Sequence, residues 1–396
     1  MIKSIDTGNA VAASDKARNP LVALIAEGQS VWLDNLTRQI VRGSELRQLI
    51  EEDGLRGMTS NPTIFQKAIV GSSDYDEQLK TLVHDKASAA DRFEAIAVQD
   101  VQDACDVFCP VYDALDGRDG FVSIEVSPGQ AHDTEGSVAE AERLWKAVNR
   151  PNVMIKIPGT VEGAEAVGKL LAKGINVNIT LLFSPENHER VMWKYIEALE
   201  ARVAAGQPIE RLASVASFFV SRVDTLVDQK LDEKIQAEKD EARKAQLRKL
   251  KGKAAVANAQ IAYSRFQEIF GSERFKRLQV QGARLQRPLW ASTSTKNPDY
   301  KDVKYVEELI GPDTVNTMPQ ATIHAFKDHG TVKRTIDQHV AAAKEVMQAL
   351  KAAGIDFHAV TEQLEDEGIA GFSKSYDALI ADIEKKSTQV LKPTHT

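Results

Sequence analysis

The chain predicts a single (β/α)8 (TIM) barrel of the α/β class, enlarged by a helical insertion between strands 6 and 7 and by extra C-terminal helices. Three observations lead there. Eight short apolar runs rich in β-formers punctuate the sequence, and amphipathic segments between them are long enough for the crossovers that parallel strands require. No G-x-G-x-x-G follows the first run, which removes the main support for a doubly wound open sheet.

In order, the strand candidates are VWLDN (31–35), LRGMTSN (55–61), FVSIEVS (121–127), NVMIKIPG (152–159), INVNITLLF (175–183), ASVASFFV (213–220), PLWASTST (288–295) and TVNTMP (314–319). Helices are expected over 36–52, 135–149, 162–173 and 186–205. Ser184 and Pro185 supply an N-cap hydroxyl and an N1 proline directly after the fifth strand, and Gly174 stands at a helix end just before it. The pattern breaks at 229–282, where the charged stretch QKLDEKIQAEKDEARKAQLRKLKGK precedes a further helix around 256–270. Acids interleaved with Lys and Arg at helical spacing predict a solvated, salt-bridged face there in preference to a docking surface. After residue 320 the chain reads as helical to the end, with 331–353 and 371–390 amphipathic and packed over one side of the barrel. The whole of 1–396 is thus one domain with an N-terminal lead (1–20), an insertion (229–282) and C-terminal helices and tail (331–396).

Composition narrows the function. The 396 residues are 43% hydrophobic, ordinary for a globular chain, and 23 glycines with 13 prolines exclude a collagenous or low-complexity polymer. Two cysteines build neither a disulfide scaffold nor a thiolate zinc site, so a reducing cytoplasm is expected. A net charge of −7 gives no overall footprint for nucleic acid, and any anion site must be local. The first twenty residues hold no apolar signal core, and no apolar run is long enough to span a membrane.

Side chains alternate between the two faces of a strand, so parity sorts the polar residues. Val122, Ile124 and Val126 oppose Ser123, Glu125 and Ser127; Val153, Ile155 and Ile157 oppose Met154 and Lys156; Ile175, Val177, Ile179 and Leu181 oppose Asn176, Asn178 and Thr180. Asp34 shares a face with Trp32, and Asn61 with Thr59 and Gly57. The apolar sets can pack beneath the helices, which puts the polar sets in the lumen near the C-terminal mouth, where barrel enzymes carry their active sites. Lys156 heads the candidates: attack on a carbonyl needs a neutral amine, and a lumen setting disfavours the ammonium. Asp34 and Glu125 are carboxylates available as general acid and base. A structural ion-pair network among the same three residues stands as the alternative.

Arg222 after the sixth strand, with Ser292, Ser294 and Lys296 sharing a parity at the end of the seventh, suits a phosphate monoester, in the quarter of this fold that often binds phosphate. Metal chemistry finds no support: the eight histidines are scattered, with no H-x-x-H or H-E-x-x-H spacing. Neither a metal nor any other cofactor is expected.

The segments GMTSNPTIF (57–65), VSIEVSP (122–128), VMIKIPGT (153–160), GINVNITLLFS (174–184), ASFFVSRVD (216–224), WASTSTKNP (290–298) and NTMPQATI (316–323) together make the chain resemble the transaldolase family, in particular its longer bacterial kind. The resemblance implies transfer of a dihydroxyacetone unit from sedoheptulose 7-phosphate to glyceraldehyde 3-phosphate, giving erythrose 4-phosphate and fructose 6-phosphate in the non-oxidative pentose phosphate pathway. By motif position Lys156 resembles the Schiff-base lysine, Asp34 the acid/base for carbon–carbon cleavage, and Glu125 with Thr180 the pair that holds the water of imine formation. Asn61, Asn178 and Ser217 match positions that hold the dihydroxyacetone hydroxyls, and Arg222 a phosphate-binding arginine. Ser294 stands where many transaldolases carry an arginine, so Lys296 is expected to supply that charge alongside Ser292. Related aldolases that release free dihydroxyacetone tend to carry Gln and Tyr at the positions of Glu125 and Phe219, which favours the transferase. A non-catalytic barrel acting through its charged insertion is the alternative from another class. A monomer or homodimer is the expected assembly.

Overall fold

In the computed structural model, which describes residues 19–391, eight parallel strands close into a barrel in sequence order. They are β1 (Gln29–Asp34), β2 (Gly57–Thr59), β3 (Phe121–Glu125), β4 (Val153–Pro158), β5 (Val177–Leu182), β6 (Ser214–Phe219), β7 (Arg287–Ala291) and β8 (Thr314–Met318). β1 pairs with β8 to shut the ring, Gln29 opposite Thr314 and Leu33 opposite Met318. The helix-facing residues of the sequence pattern, among them Val122, Ile155 and Val177, are fully buried beneath the helical layer. The N-terminal lead lies almost wholly outside the described residues. Among those described, no helix is long and apolar enough to cross a membrane.

All eight strands fall where the apolar runs predict them, and their ends show what competes with the pattern. β2 stops at Thr59 because Asn61 caps the next helix, its side chain accepting the Ile64 N–H at 3.1 Å with Pro62 in the first turn. β3 stops at Glu125, so Ser127 leaves the lumen and its hydroxyl donates to Glu140 at 2.7 Å. In β5, Leu181 adopts φ 61°, and the register against β6 shifts between Ile179 and Leu182. A branched hydrocarbon side chain in the left-handed region costs about 1–2 kcal/mol and marks a bulge. β7 is shorter than predicted. Ser292 turns left-handed at φ 56°, so Ser292, Ser294 and Lys296 do not share one strand face.

Helix boundaries differ at two places. The helix expected over 36–52 is two, Arg38–Arg42 and Glu45–Asp53, separated at Gly43. The expected helix from 331 begins only at Val340, because residues before it are recruited elsewhere: Ile336 is buried against Gly311, and the N–H groups of Thr335 and Ile336 donate to the Ile310 carbonyl. Between β6 and β7 lie the helices Ser221–Ala237, Glu241–Arg248, Ala254–Phe270 and Glu273–Gln279. The charged part carries ion pairs such as Lys251–Asp232 and Lys244–Glu241, whereas Ala254–Phe270 is mostly buried against Pro185–Ala204 and Val340–Ala352.

The final helix, Phe357–Val390, runs across the mouth of the barrel and is not confined to its flank. At one end Asn187 donates to Glu365 at 2.7 Å; further along, Thr63 donates to Ser375 at 3.0 Å and Gln66 to Asp382 at 2.7 Å. Gly368 permits this path, since a Cβ there would stand 2.9 Å from the Leu181 side chain at the bulge.

Candidate active site

Strand register assembles the central residues. Glu125 is opposite Lys156, and Lys156 is opposite Asn178, so three neighbouring strands present a carboxylate, an amine and an amide at one level of the lumen. Thr180 stands one step nearer the mouth, opposite Pro158. The Lys156 Nζ donates to the Ser60 carbonyl at 3.2 Å and lies 3.4 Å from Glu125 Oε2, with both side chains less than a tenth exposed. The Lys156–Glu125 part of a structural ion-pair network is therefore real as geometry, yet the pair is long at 3.4 Å.

Burial is the largest influence on both carboxyl groups. It raises the pKa of Asp34 and of Glu125 above the ordinary carboxylate value, against the opposing pull of Lys156 on each. Asp34 accepts the Thr59 hydroxyl at 2.8 Å, and the Thr59 and Thr317 hydroxyls are themselves 2.8 Å apart. The Asn178 amide donates to the Ser123 hydroxyl at 3.0 Å and accepts from Ser217 at 2.7 Å, which fixes which way the amide points. The Thr180 hydroxyl is buried and bonds to no group among the described residues. An unsatisfied buried hydroxyl costs about 1–3 kcal/mol.

A second cluster lies on the β6–β7 side. Arg222 begins the helix after β6 with its guanidinium 5.4 Å from the centre of the Phe219 ring, and Phe219 packs against Phe183 at 5.3 Å. The Ser221 and Ser292 hydroxyls are 3.0 Å apart, and the Ser221 N–H donates to the Ser292 carbonyl. Lys296 is exposed and donates to Ser294 at 2.9 Å. Lys296 also acts electrostatically on Asp34, which links the two clusters across the mouth. Asn61 keeps its place at the lumen rim while its oxygen serves as a helix cap.

Parity names Asp34, Asn61, Glu125, Lys156, Asn178 and Thr180, and the family resemblance adds Ser217 and Phe219; both miss Ser60, Ser221 and Thr317, and both miss the roof. Phe372, on the final helix, stands with its ring centre 5.7 Å from Lys156 Nζ. No local pattern marks it, because its face of the helix is defined only by where the helix crosses. Thr59 and Ser123 carried a usable signal, sharing parity with Asn61 and Glu125.

The sequence pattern of the Transaldolase/Fructose-6-phosphate aldolase family matches residues 31–383. The chain belongs to that family. It is 49% identical over 370 residues to the transaldolase of Trichodesmium erythraeum, covering 93% of this chain and 97% of that protein. It is 46% identical over 370 residues to the transaldolase of Saccharopolyspora erythraea, with 93% and 98% covered, and 46% identical over 378 residues to transaldolase 2 of Nostoc punctiforme, with 95% and 99% covered. The family match runs from β1 into the helix Phe357–Val390, so both the lumen residues and Phe372 lie inside it.

Proposed function

We propose that this chain is a transaldolase of the pentose phosphate pathway, moving a dihydroxyacetone unit between phosphorylated sugars through a Schiff base on Lys156. The observation that carries this reading is a buried lysine 3.4 Å from the Glu125 carboxyl group and within electrostatic reach of Asp34, at the C-terminal mouth of a barrel of this family. The Lys156 amine attacks the ketose C2 carbonyl, and Glu125, through a water held against Thr180, moves the protons that turn carbinolamine into iminium. Asp34 then takes the C4 hydroxyl proton; the C3–C4 bond breaks, its electron pair passes to the iminium, and the aldehyde product leaves an enamine behind. The acceptor aldehyde reverses these steps. Asn61, Asn178 and Ser217 hold the hydroxyls of the three-carbon unit, while Arg222, Ser292, Ser294 and Lys296 receive the phosphate.

The enamine survives only where water is kept out, and Phe219, Phe183 and Phe372 supply apolar walls around it. Free thiols at Cys105 and Cys109 support a reducing, cytoplasmic setting, and we expect a monomer or homodimer. Fructose 6-phosphate cleavage measured with and without erythrose 4-phosphate tests the reading. Turnover should require the acceptor; fast release of free dihydroxyacetone without it would make the protein an aldolase instead.

A further inference from the structure

Two buried carboxylates take no part in the chemistry above. Asp224 and Asp228 sit one turn apart on the helix Ser221–Ala237, only a few residues beyond Arg222, and are 1% and 7% exposed. Each accepts two bonds of the same kinds. Asp224 receives the Ala255 N–H at 2.7 Å and the Tyr305 hydroxyl at 2.8 Å. Asp228 receives the Gly252 N–H at 2.9 Å and the Tyr300 hydroxyl at 2.5 Å. The backbone donors belong to the insertion, at the start of Ala254–Phe270; the tyrosines belong to the β7–β8 connection, just after Ser292, Ser294 and Lys296. Gly252 is itself fitted to Tyr300, since a Cβ there would stand 2.7 Å from the phenol ring.

We infer that this double clamp sets the distance between the two halves of the phosphate site, with Tyr300, Tyr305, Asp224 and Asp228 acting as positioning residues and the insertion as their brace. The inference rests on the proposed function for the identity of the phosphate half-sites. Arg222 is carried on the clamp's own helix. The segment bearing Ser292 to Lys296 turns left-handed at Ser292 and lacks the support of a β-strand. Held at its start by Ser292 against Ser221 and by Thr293, which donates to Asn316 of β8, it is anchored at its far end by the tyrosines, with Thr295 bridging back to the carbonyls of Lys301 and Asp302 at 2.9 and 3.0 Å. A short polar loop placed this way would otherwise sample several geometries, and a misplaced charge loses most of its value for a phosphate.

Tyr300→Phe and Tyr305→Phe, singly and together, test this by steady-state kinetics with phosphorylated and unphosphorylated fructose. The expected result is a KM for fructose 6-phosphate about five- to tenfold higher, the scale of about 1 kcal/mol lost indirectly through a displaced phosphate contact, with kcat within twofold and no change for unphosphorylated fructose. Inorganic phosphate binding, measured by calorimetry on the resting protein, should weaken in parallel. Equal losses on both sugars, or an unchanged phosphate affinity, would overturn the inference. If Tyr305→Phe does not fold, the half-buried Tyr300→Phe decides the question alone. Wild-type protein that binds phosphate but turns nothing over would refute the proposed function while leaving the clamp to be judged by phosphate affinity.

Discussion

The two ends of the lumen hold similar residues in opposite states. At the N-terminal end Asp119 accepts from Ser30, from Trp32 Nε1 at 2.8 Å and from the Gly120 N–H at 3.3 Å, and pairs with Arg287 at 3.2 Å. Both oxygens of Asp119 are bonded. At the C-terminal end Lys156 and Glu125 are 3.4 Å apart, Asp34 has one hydroxyl partner, and Thr180 has none. A buried charge that is fully bonded holds the fold together; one left partly bonded is poised for a substrate. Cavity size does not separate the two ends. A cavity of about 760 Å³, lined by Arg56, Asp116, Arg284 and Arg287 among others, opens at the N-terminal end, while the final helix covers the mouth where the chemistry is proposed.

The contrast can be broken from either end. Lys156→Ala should lower kcat by about four orders of magnitude or more, the scale at which loss of a covalent nucleophile acts, with a thermal midpoint close to the parent. At the other end, Arg287→Ala should cost about 2 kcal/mol in urea unfolding by removing the cation beside buried Asp119, which keeps its neutral donors, with kcat within twofold. A large kcat loss there would erase the distinction between the ends. A smaller effect concerns protonation. Burial disfavours the carboxylate form of Asp34, so it takes up its proton at a higher pH than an ordinary aspartate and can no longer accept the C4 proton below that point. The acid limb of kcat should therefore lie above the usual carboxylate range; a limb at or below about pH 4 would contradict this assignment. Phe372→Ala should raise acceptor-independent dihydroxyacetone release about five- to tenfold by admitting water above Lys156. The smallest expected effect is at Lys296→Ala: exposed, it should raise KM for phosphorylated substrates about threefold, as an exposed charge pair would, and leave unphosphorylated ones alone.

Strand periodicity made the barrel and the placement of Asp34, Glu125, Lys156 and Asn178 legible, because a lumen residue is defined by its strand's own alternation. Legibility fails where tertiary contacts override that alternation. Leu181 cannot be seen leaving the pattern, since a bulge depends on the partner strand and on the helix pressing from above. Ser292 to Lys296 resemble a continued strand, but the left-handed turn and the bond to Ser221 end it. The segment 331–339 has helical composition apart from its β-branched residues, and the pull of Ile336 into the core decides against a helix. Phe372 and the Asp224–Asp228 clamp join parts of the chain that lie far apart in sequence, so no local pattern announces them.

Whether Lys156 forms the covalent intermediate is the claim on which the rest depends. Borohydride reduction in the presence of fructose 6-phosphate, followed by peptide mass spectrometry, measures it directly. The expected result is one three-carbon adduct on the peptide containing Lys156, absent from Lys156→Ala; an adduct on another lysine, or none while the protein turns over substrate, would contradict it.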